Sequence, residues 1–292
     1  MQIDDQETVP AELPGTAAPL LRAHLAAVAL TSPDPQALAG FYQDALGYEG
    51  QWQEGRWMGR QGTRRLMIGP GAANNVDHTV FAVPDAQALC DLRERLVSAG
   101  IGIVEAQSSI LPGAAIRFSD PDGNVLLFGV ADPAEEIDMA GAARLQHIVF
   151  ASDAVPAMVR FYCDIVGFAP SDYVRDEGQD LTSAFLRCGV EHHSLAVFRA
   201  PRKRLDHLCY DVATWTDIRD WADRFAARHI RLRWGPGRHG PGNNLFLFIN
   251  DPDGNWLEFS TELEQVEGPR PVKTWVHEER TLNSWGAAFL RS

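Results

Sequence analysis

LAAVALTSPDPQALAGFYQDALGY (residues 25–48) and LQHIVFASDAVPAMVRFYCDIVGF (145–168) lie over one another without a gap. An internal repeat of this length outweighs any local reading, because each copy must fold as the same supersecondary unit. In both copies a short apolar run leads into a helical pattern with core positions at i, i+3, i+4 and i+7. Those positions are Leu38, Phe41, Tyr42 and Ala45 in one copy, and Met158, Phe161, Tyr162 and Ile165 in the other. Each pattern stops at a glycine, Gly47 or Gly167, the residue best suited to the left-handed conformation of a helix C-terminus.

A second pair extends the repeat: DHTVFAVPDAQALCDLRERL (77–96) matches DHLCYDVATWTDIRDWADRF (206–225). Its helical faces correspond, Leu89, Leu92 and Leu96 against Ile218, Trp221 and Phe225. Each segment then leads into short strands closed by the same turn, Asp120-Pro121-Asp122-Gly123-Asn124 and Asp251-Pro252-Asp253-Gly254-Asn255, with Pro early and Gly late. The chain therefore reads as an α+β protein of four strand–helix–strands modules. They pair into domains over 20–133 and 141–265, joined by an Ala/Glu-rich linker around 134–143 and followed by an appended segment, 266–292.

Composition agrees with two ordinary globular domains. The 292 residues are 45% apolar and 22% charged, and single cores rarely outgrow about 250–300 residues. A net charge of −13, with Arg202-Lys203-Arg204 as the one basic cluster, argues against nucleic-acid or membrane-surface binding. No apolar run approaches the roughly 20 residues that cross a bilayer, and the acidic, proline-broken start does not resemble a secretory signal. A cytoplasmic protein is expected. Its four cysteines (Cys90, Cys163, Cys188, Cys209) are scattered without a CxxC and read as reduced packing residues.

A repeat supplies its own control, since a residue needed only by the fold should recur in the other copy. His207 has a counterpart in His78, but His147 aligns with Ala27 and Glu258 with Leu127. All three second-copy residues lie in expected strands on largely apolar faces. An unpaired buried carboxylate there costs several kcal/mol, and the first copy closes the same strand with leucine, so the fold does not need the charge. Two imidazoles and a carboxylate converging on one cup would form a facial triad, which holds a divalent metal and leaves adjacent coordination positions for substrates. His78 alone reads as a structural histidine.

With these residues in place, the chain resembles the vicinal oxygen chelate superfamily. Within it, the pattern is similar to the two-domain type I extradiol ring-cleaving catechol dioxygenases, most of all the homoprotocatechuate 2,3-dioxygenase branch, which the run GPGRHGPGNN before a DPDG turn resembles. The resemblance implies four βαβββ modules in two domains, with Fe(II), or alternatively Mn(II), held in the C-terminal domain by His147, His207 and Glu258. It further implies His193, in Glu191-His192-His193-Ser194, as the acid/base, and His239 as a hydrogen-bonding partner of the substrate oxygen. His192 reads as structural or solvent-facing and Arg238 as a loop anchor. A small aromatic substrate, O2 and a homo-oligomeric state are expected on the same ground, with the C-terminal segment over the active site.

Two departures bear on specificity. Nine residues after the loop histidine the family usually has a tyrosine, and here that position is Phe248. The C-terminal stretch that supplies arginine to a substrate carboxylate in this branch reads Thr281-Leu282-Asn283-Ser284-Trp285-Gly286. Phe185, Asn243, Phe248 and Trp285 are therefore taken to form a pocket for an uncharged or aryl-substituted catechol. Two other readings use the same residues: a glyoxalase-like metal-dependent isomerase or lyase, and a metal-free protein that binds an aromatic compound.

Overall fold

The structure is a computed structural model describing residues 18–108, 110–132 and 143–289; the expected linker around 134–143 lies almost wholly outside the described residues. Four β-α-β-β-β modules follow in chain order. The first is β1 (His24–Ser32), α1 (Pro35–Phe41), β2 (Glu49–Gln53), β3 (Arg56–Gln61) and β4 (Arg64–Pro70). The second is β5 (Asn75–Val83), α2 (Ala86–Ser98), β6 (Val104–Gln107), β7 (Ala114–Ser119) and β8 (Val125–Val130). The third is β9 (Arg144–Ser152), α3 (Val155–Arg160), β10 (Ala169–Arg175), β11 (Leu181–Arg187) and β12 (Leu195–Arg199). The fourth is β13 (Arg204–Asp211), α4 (Trp215–Ala227), β14 (Trp234–Arg238), β15 (Leu245–Asn250) and β16 (Trp256–Thr261). The last segment adds β17 (Lys273–Val276) and the short α5 (Glu279–Leu282). Among the described residues no helix is long and apolar enough to cross a membrane.

Modules pair through their first strands. One sheet runs β2-β3-β4-β1-β5-β8-β7-β6, and the other runs β14-β15-β16-β13-β9-β12-β11-β10-β17. Strands alternate faces, so Leu25, Val28 and Leu30 enter a large core shared by both sheets and helices α1–α4. Ala27 and Ala29, on the opposite face, line a separate small cluster with Val80 and Leu127. Each sheet thus gives one face to the common core and curls the other around a cup of its own.

The helices obey the sequence pattern with one adjustment. α2 buries Leu89, Leu92 and Leu96, and α4 buries Ile218, Trp221 and Phe225 behind a Thr214/Asp217 capping box. After α1 and α3 the chain continues as a π turn, Tyr42–Leu46 and Phe161–Val166. The wider winding of a π turn advances the buried face by a residue, so Leu46 and Val166 pack inward and Ile165 is half-buried, as is Phe41 just ahead of the first π turn. Gly47 (φ 79°) and Gly167 (φ 101°) close these turns in the left-handed region.

A candidate metal centre in the second cup

The pairing of the two sheets reproduces the alignment of the repeat. In the second sheet His147 lies opposite Cys209 on β13, and Cys209 lies beside Glu258 on β16. In the first sheet the same three stations are Ala27, Val80 and Leu127. Where the second cup has an imidazole, a thiol and a carboxylate, the first has hydrocarbon.

At the centre, Glu258 Oε2 is 3.5 Å from His147 Nε2 and 3.2 Å from His207 Nε2. Its other oxygen is 3.5 Å from His239 Nε2 and accepts from Asn244 Nδ2 at 3.0 Å. All three triad side chains are buried. Burial pushes the Glu258 carboxyl up, but the three imidazoles outweigh it and hold the group well below the usual range. Burial lowers His147, whereas Asp206 and Glu258 overcome the same effect at His207 and raise it. Glu258 is therefore held as a carboxylate, and a divalent cation would displace any proton on the ligating atoms.

The donor set fits such a cation. His147 Nε2 is buried with no hydrogen-bond partner, a costly state for a ring nitrogen unless a ligand meets it. Two nitrogens and an oxygen, with an apolar cavity beside them, match a 2-His-1-carboxylate site that leaves positions open. Cys209 Sγ also lies within 4.8 Å of donor atoms of His147 and Glu258. Its thiol is pushed well above the ordinary range by burial and by the Glu258 charge, so it stays protonated, and the thiolate is the ligating form.

Two bulges orient the histidines. Between β9 and β13, Gln146 and Asp206 are each an extra residue without a partner across the ladder. A bulge turns neighbouring side chains to the same side. Gln146 Oε1 thereby meets His147 Nδ1 at 2.5 Å, and Asp206 Oδ1 meets His207 Nδ1 at 2.8 Å, leaving each Nε2 for the cup. The first sheet repeats both irregularities, at Ala26 and Asp77. Asp77 is 3.1 Å from His78 Nδ1 and also binds Arg56. Sequence reasoning missed Gln146 and Asp206, although the recurrence of Asp-His at 77–78 and 206–207 was a usable signal.

The remaining expected site residues divide. His193 is buried beside His147, with ring centroids 4.2 Å apart. His239 donates from Nδ1 to the Leu282 carbonyl at 2.5 Å, which aims Nε2 at the cup. Phe185 and Phe248 wall the cavity, Phe248 lying parallel to Trp234 at 5.3 Å. Arg238 anchors its loop to the Asn243 carbonyl and Glu262.

Asn243 and Trp285 require correction. Asn243 sits at φ 54° with its side chain in solvent, and the inward residue is its neighbour Asn244, bonded to Glu258 and Ser260. Trp285 is 55% exposed, packed on Trp215 and under the Arg238 guanidinium. The C-terminal segment roofs the cavity through His277, Leu282 and Phe289 instead. His192, read as structural or solvent-facing, is fully buried against His193.

The cavity beside the triad holds about 50 Å³, room for a few waters. Five aromatic side chains stand in its walls: Phe185, Phe198, Trp234, Phe248 and Phe289. Arg199 reaches the mouth, where its guanidinium pairs with Asp176 at 2.7 Å.

Known proteins resemble both halves of the chain. Residues 144–259 match the Glyoxalase/Bleomycin resistance protein/Dioxygenase superfamily, and residues 27–128 match a glyoxalase-like domain. An iron-dependent extradiol dioxygenase of Rhodococcus jostii is 28% identical over 249 residues, 77% of this chain and 82% of that protein. A biphenyl-2,3-diol 1,2-dioxygenase of Paraburkholderia xenovorans is 26% identical, covering 78% and 81%. The fold superposes on homoprotocatechuate 2,3-dioxygenase of Brevibacterium fuscum with a TM-score of 0.82 at 24% identity, over 96% of this chain and 93% of that one. A Mn(II)-bound glyoxalase of Novosphingobium aromaticivorans gives 0.78 at 26%, over 92% and 91%. With both halves matched by glyoxalase-type models and extradiol dioxygenases aligned along three quarters of its length, this chain belongs to the glyoxalase/bleomycin resistance protein/dioxygenase superfamily, the vicinal oxygen chelate proteins.

Proposed function

We propose that the protein is an extradiol dioxygenase that opens a catechol ring with O2, using a divalent iron, or alternatively manganese, held by His147, His207 and Glu258. The observation that carries this reading is the buried His147 Nε2, which completes no hydrogen bond and lies 3.5 Å from the Glu258 carboxylate, itself 3.2 Å from His207 Nε2, in the second cup and not the first. The bound ion would supply Lewis acidity toward vicinal hydroxyls and one-electron chemistry toward O2. The protein's own groups do the rest. Gln146 and Asp206 hold the two histidines in the ligating orientation. His193 takes a proton from one substrate hydroxyl and returns it later, for which burial and its neighbours His147 and His192 prepare it by pushing it well below the usual histidine value, so that it starts neutral. His239, steered by the tail carbonyl of Leu282, hydrogen-bonds a substrate oxygen. The aromatic walls exclude water and accept the ring face. Both atoms of O2 end in the product.

The walls support a catechol carrying an apolar or aryl substituent, as does the naming of relatives as biphenyl-2,3-diol dioxygenases. Arg199 at the mouth is occupied by Asp176, so it offers little to a substrate carboxylate. A second reading, a glyoxalase-like isomerase or lyase, is favoured by Phe248, which puts no hydroxyl where the ring-cleaving family usually has one, and by the likeness to a Mn(II)-bound glyoxalase.

One experiment separates them. Protein loaded anaerobically with Fe(II) or Mn(II) is offered a panel of catechols while O2 and ring absorbance are followed. The dioxygenase reading expects one O2 consumed per ring lost, fastest with aryl or alkyl substituents. Absence of O2 uptake across the panel with metal bound would transfer the assignment to the glyoxalase-like reading.

A further inference from the structure

His192 is packed too deliberately for filler. Its ring is fully buried, 6.0 Å from Phe185 between centroids. Gly242 backs it at φ 75°, where a Cβ would come within 3.2 Å of Nδ1. His192 Nδ1 is 3.0 Å from His193 Nδ1, and His192 Nε2 is 3.3 Å from Asp172 Oδ2. Asp172, on β10, is itself held: Trp275 Nε1 donates to Oδ2 at 2.7 Å and Arg270 to Oδ1 at 2.8 Å. Burial pushes this carboxyl up, but His192, Trp275 and Arg270 hold it below the usual range, so it stays ionised.

Two imidazole nitrogens at 3.0 Å must share one hydrogen, one donating and one accepting. His192 Nε2 lies 3.3 Å from this acceptor-only carboxylate without completing a hydrogen bond, and the adjacent negative charge still favours the proton of a neutral His192 on Nε2, which leaves Nδ1 bare. His193 must then donate from Nδ1, which leaves the lone pair of its Nε2 on the opposite edge of the ring. We propose that His192 and Asp172 are positioning residues for His193, locking its Nδ1–H tautomer so that Nε2 meets a substrate hydroxyl as a base. When Nε2 takes that proton, the positive charge formed on His193 is stabilised through His192 by the Asp172 carboxylate, the logic by which an aspartate supports a catalytic histidine elsewhere. The catalytic half of this inference rests on the dioxygenase reading; the tautomer does not.

The test has two independent readouts. Long-range 1H–15N spectra of ¹⁵N-histidine-labelled full chain loaded with Zn(II), a diamagnetic ion for the same ligands, are expected to show His193 protonated on Nδ1. His192→Gln, which can still accept from His193 and donate to Asp172, keeps that tautomer; His192→Leu and Asp172→Asn shift population to Nε2–H. In the Fe(II) enzyme His192→Leu is expected to lower kcat about 10- to 100-fold with KM within about threefold, and His192→Gln to recover most of the loss. A wild-type His193 protonated on Nε2, or a tautomer unmoved by both His192→Leu and Asp172→Asn, overturns the inference, as does equal impairment by Leu and Gln. Should the wild type cleave no catechol, the dioxygenase reading falls and the spectra alone decide the tautomer. If His192→Leu does not fold, Asp172→Asn carries the same spectral test.

Discussion

Glu258 carries the heaviest electrostatic burden of any residue in the cup, since it is a buried carboxylate whose neighbours are three imidazoles and one amide. Glu258→Gln preserves the shape and a contact to Asn244 but removes the anion. Metal content, read by elemental analysis after dialysis, is expected to fall from about one ion per chain to near zero while circular dichroism stays unchanged. Retention of metal by that variant would dismantle the triad assignment. The first cup makes the matching expectation at His78, which has Ala29 across the ladder and Leu127 nearby, and whose carboxylate neighbour Asp77 is paired with Arg56: one ion per chain, not two. These positions were legible in the sequence because the repeat set His147 against Ala27 and Glu258 against Leu127. Asn243 and Trp285 were misread because their side-chain directions depend on one left-handed backbone residue and one turn of the tail, and neither leaves a mark in residue type.

At the scale of elements, the bulges in β9 and β13 do what no ligand residue can do for itself. A regular strand would send Gln146 and Asp206 to the face opposite His147 and His207; the extra residue brings each beside its histidine. Asp206→Ala leaves the three ligands in place but frees the His207 ring. Affinity for the divalent ion, measured by competition with a chelator, is expected to drop about 10- to 100-fold, with a smaller loss for Gln146→Ala. An unchanged affinity for Asp206→Ala would mean that packing alone orients the ring. The helical faces were readable from periodicity. The π turns that end the first helix of each half were not, because they shift the face by one residue and both registers look apolar.

Across the whole molecule the two halves are stitched reciprocally. Tyr42, in the first helix of the N-terminal half, donates to Asp251 in the DPDG turn of the other half at 3.1 Å, and Tyr162 donates to Asp120 at 2.9 Å. Arg95 lies against Gly167 and donates to the carbonyls of Ile165 and Val166, while Arg224 lies against Gly47. Aromatic contacts fill the space between, including Phe81 with Phe168 and Tyr48 with Tyr210. Tyr42→Phe and Tyr162→Phe are each expected to cost about 1–3 kcal/mol in denaturant unfolding, because a buried carboxylate loses a donor, and to leave metal content intact.

Asp251 adds a pH dependence to that junction. Burial raises its pKa to about 6 despite the bonds from Asn255 and Tyr42. A raised folded-state value means that the stabilisation is present below the unfolded pKa and is lost as pH climbs through 6. The stability difference between wild type and Asp251→Asn should therefore shrink by about 1.4 kcal/mol between pH 5 and pH 8. A difference that stays flat or grows would show that Asp251 is already ionised at pH 5.

The sequence by itself determined the four modules, the two matching DPDG turns, the buried helical faces and the asymmetric donor set. Periodicity, turn chemistry and a repeat are properties of the chain in linear order, and a copy that lacks a residue shows what the fold can do without. Tertiary structure alone decided which side chains support that set. His192, in the loop before β12, meets Asp172 on β10, and Asp172 meets Arg270 and Trp275 from the C-terminal segment; the bulges, the roof of Leu282 and Phe289 and the Tyr–Asp stitches arise in the same way. Each depends on register between strands or on contact between segments far apart in the chain, and strand register is a geometric consequence of packing that no residue announces locally.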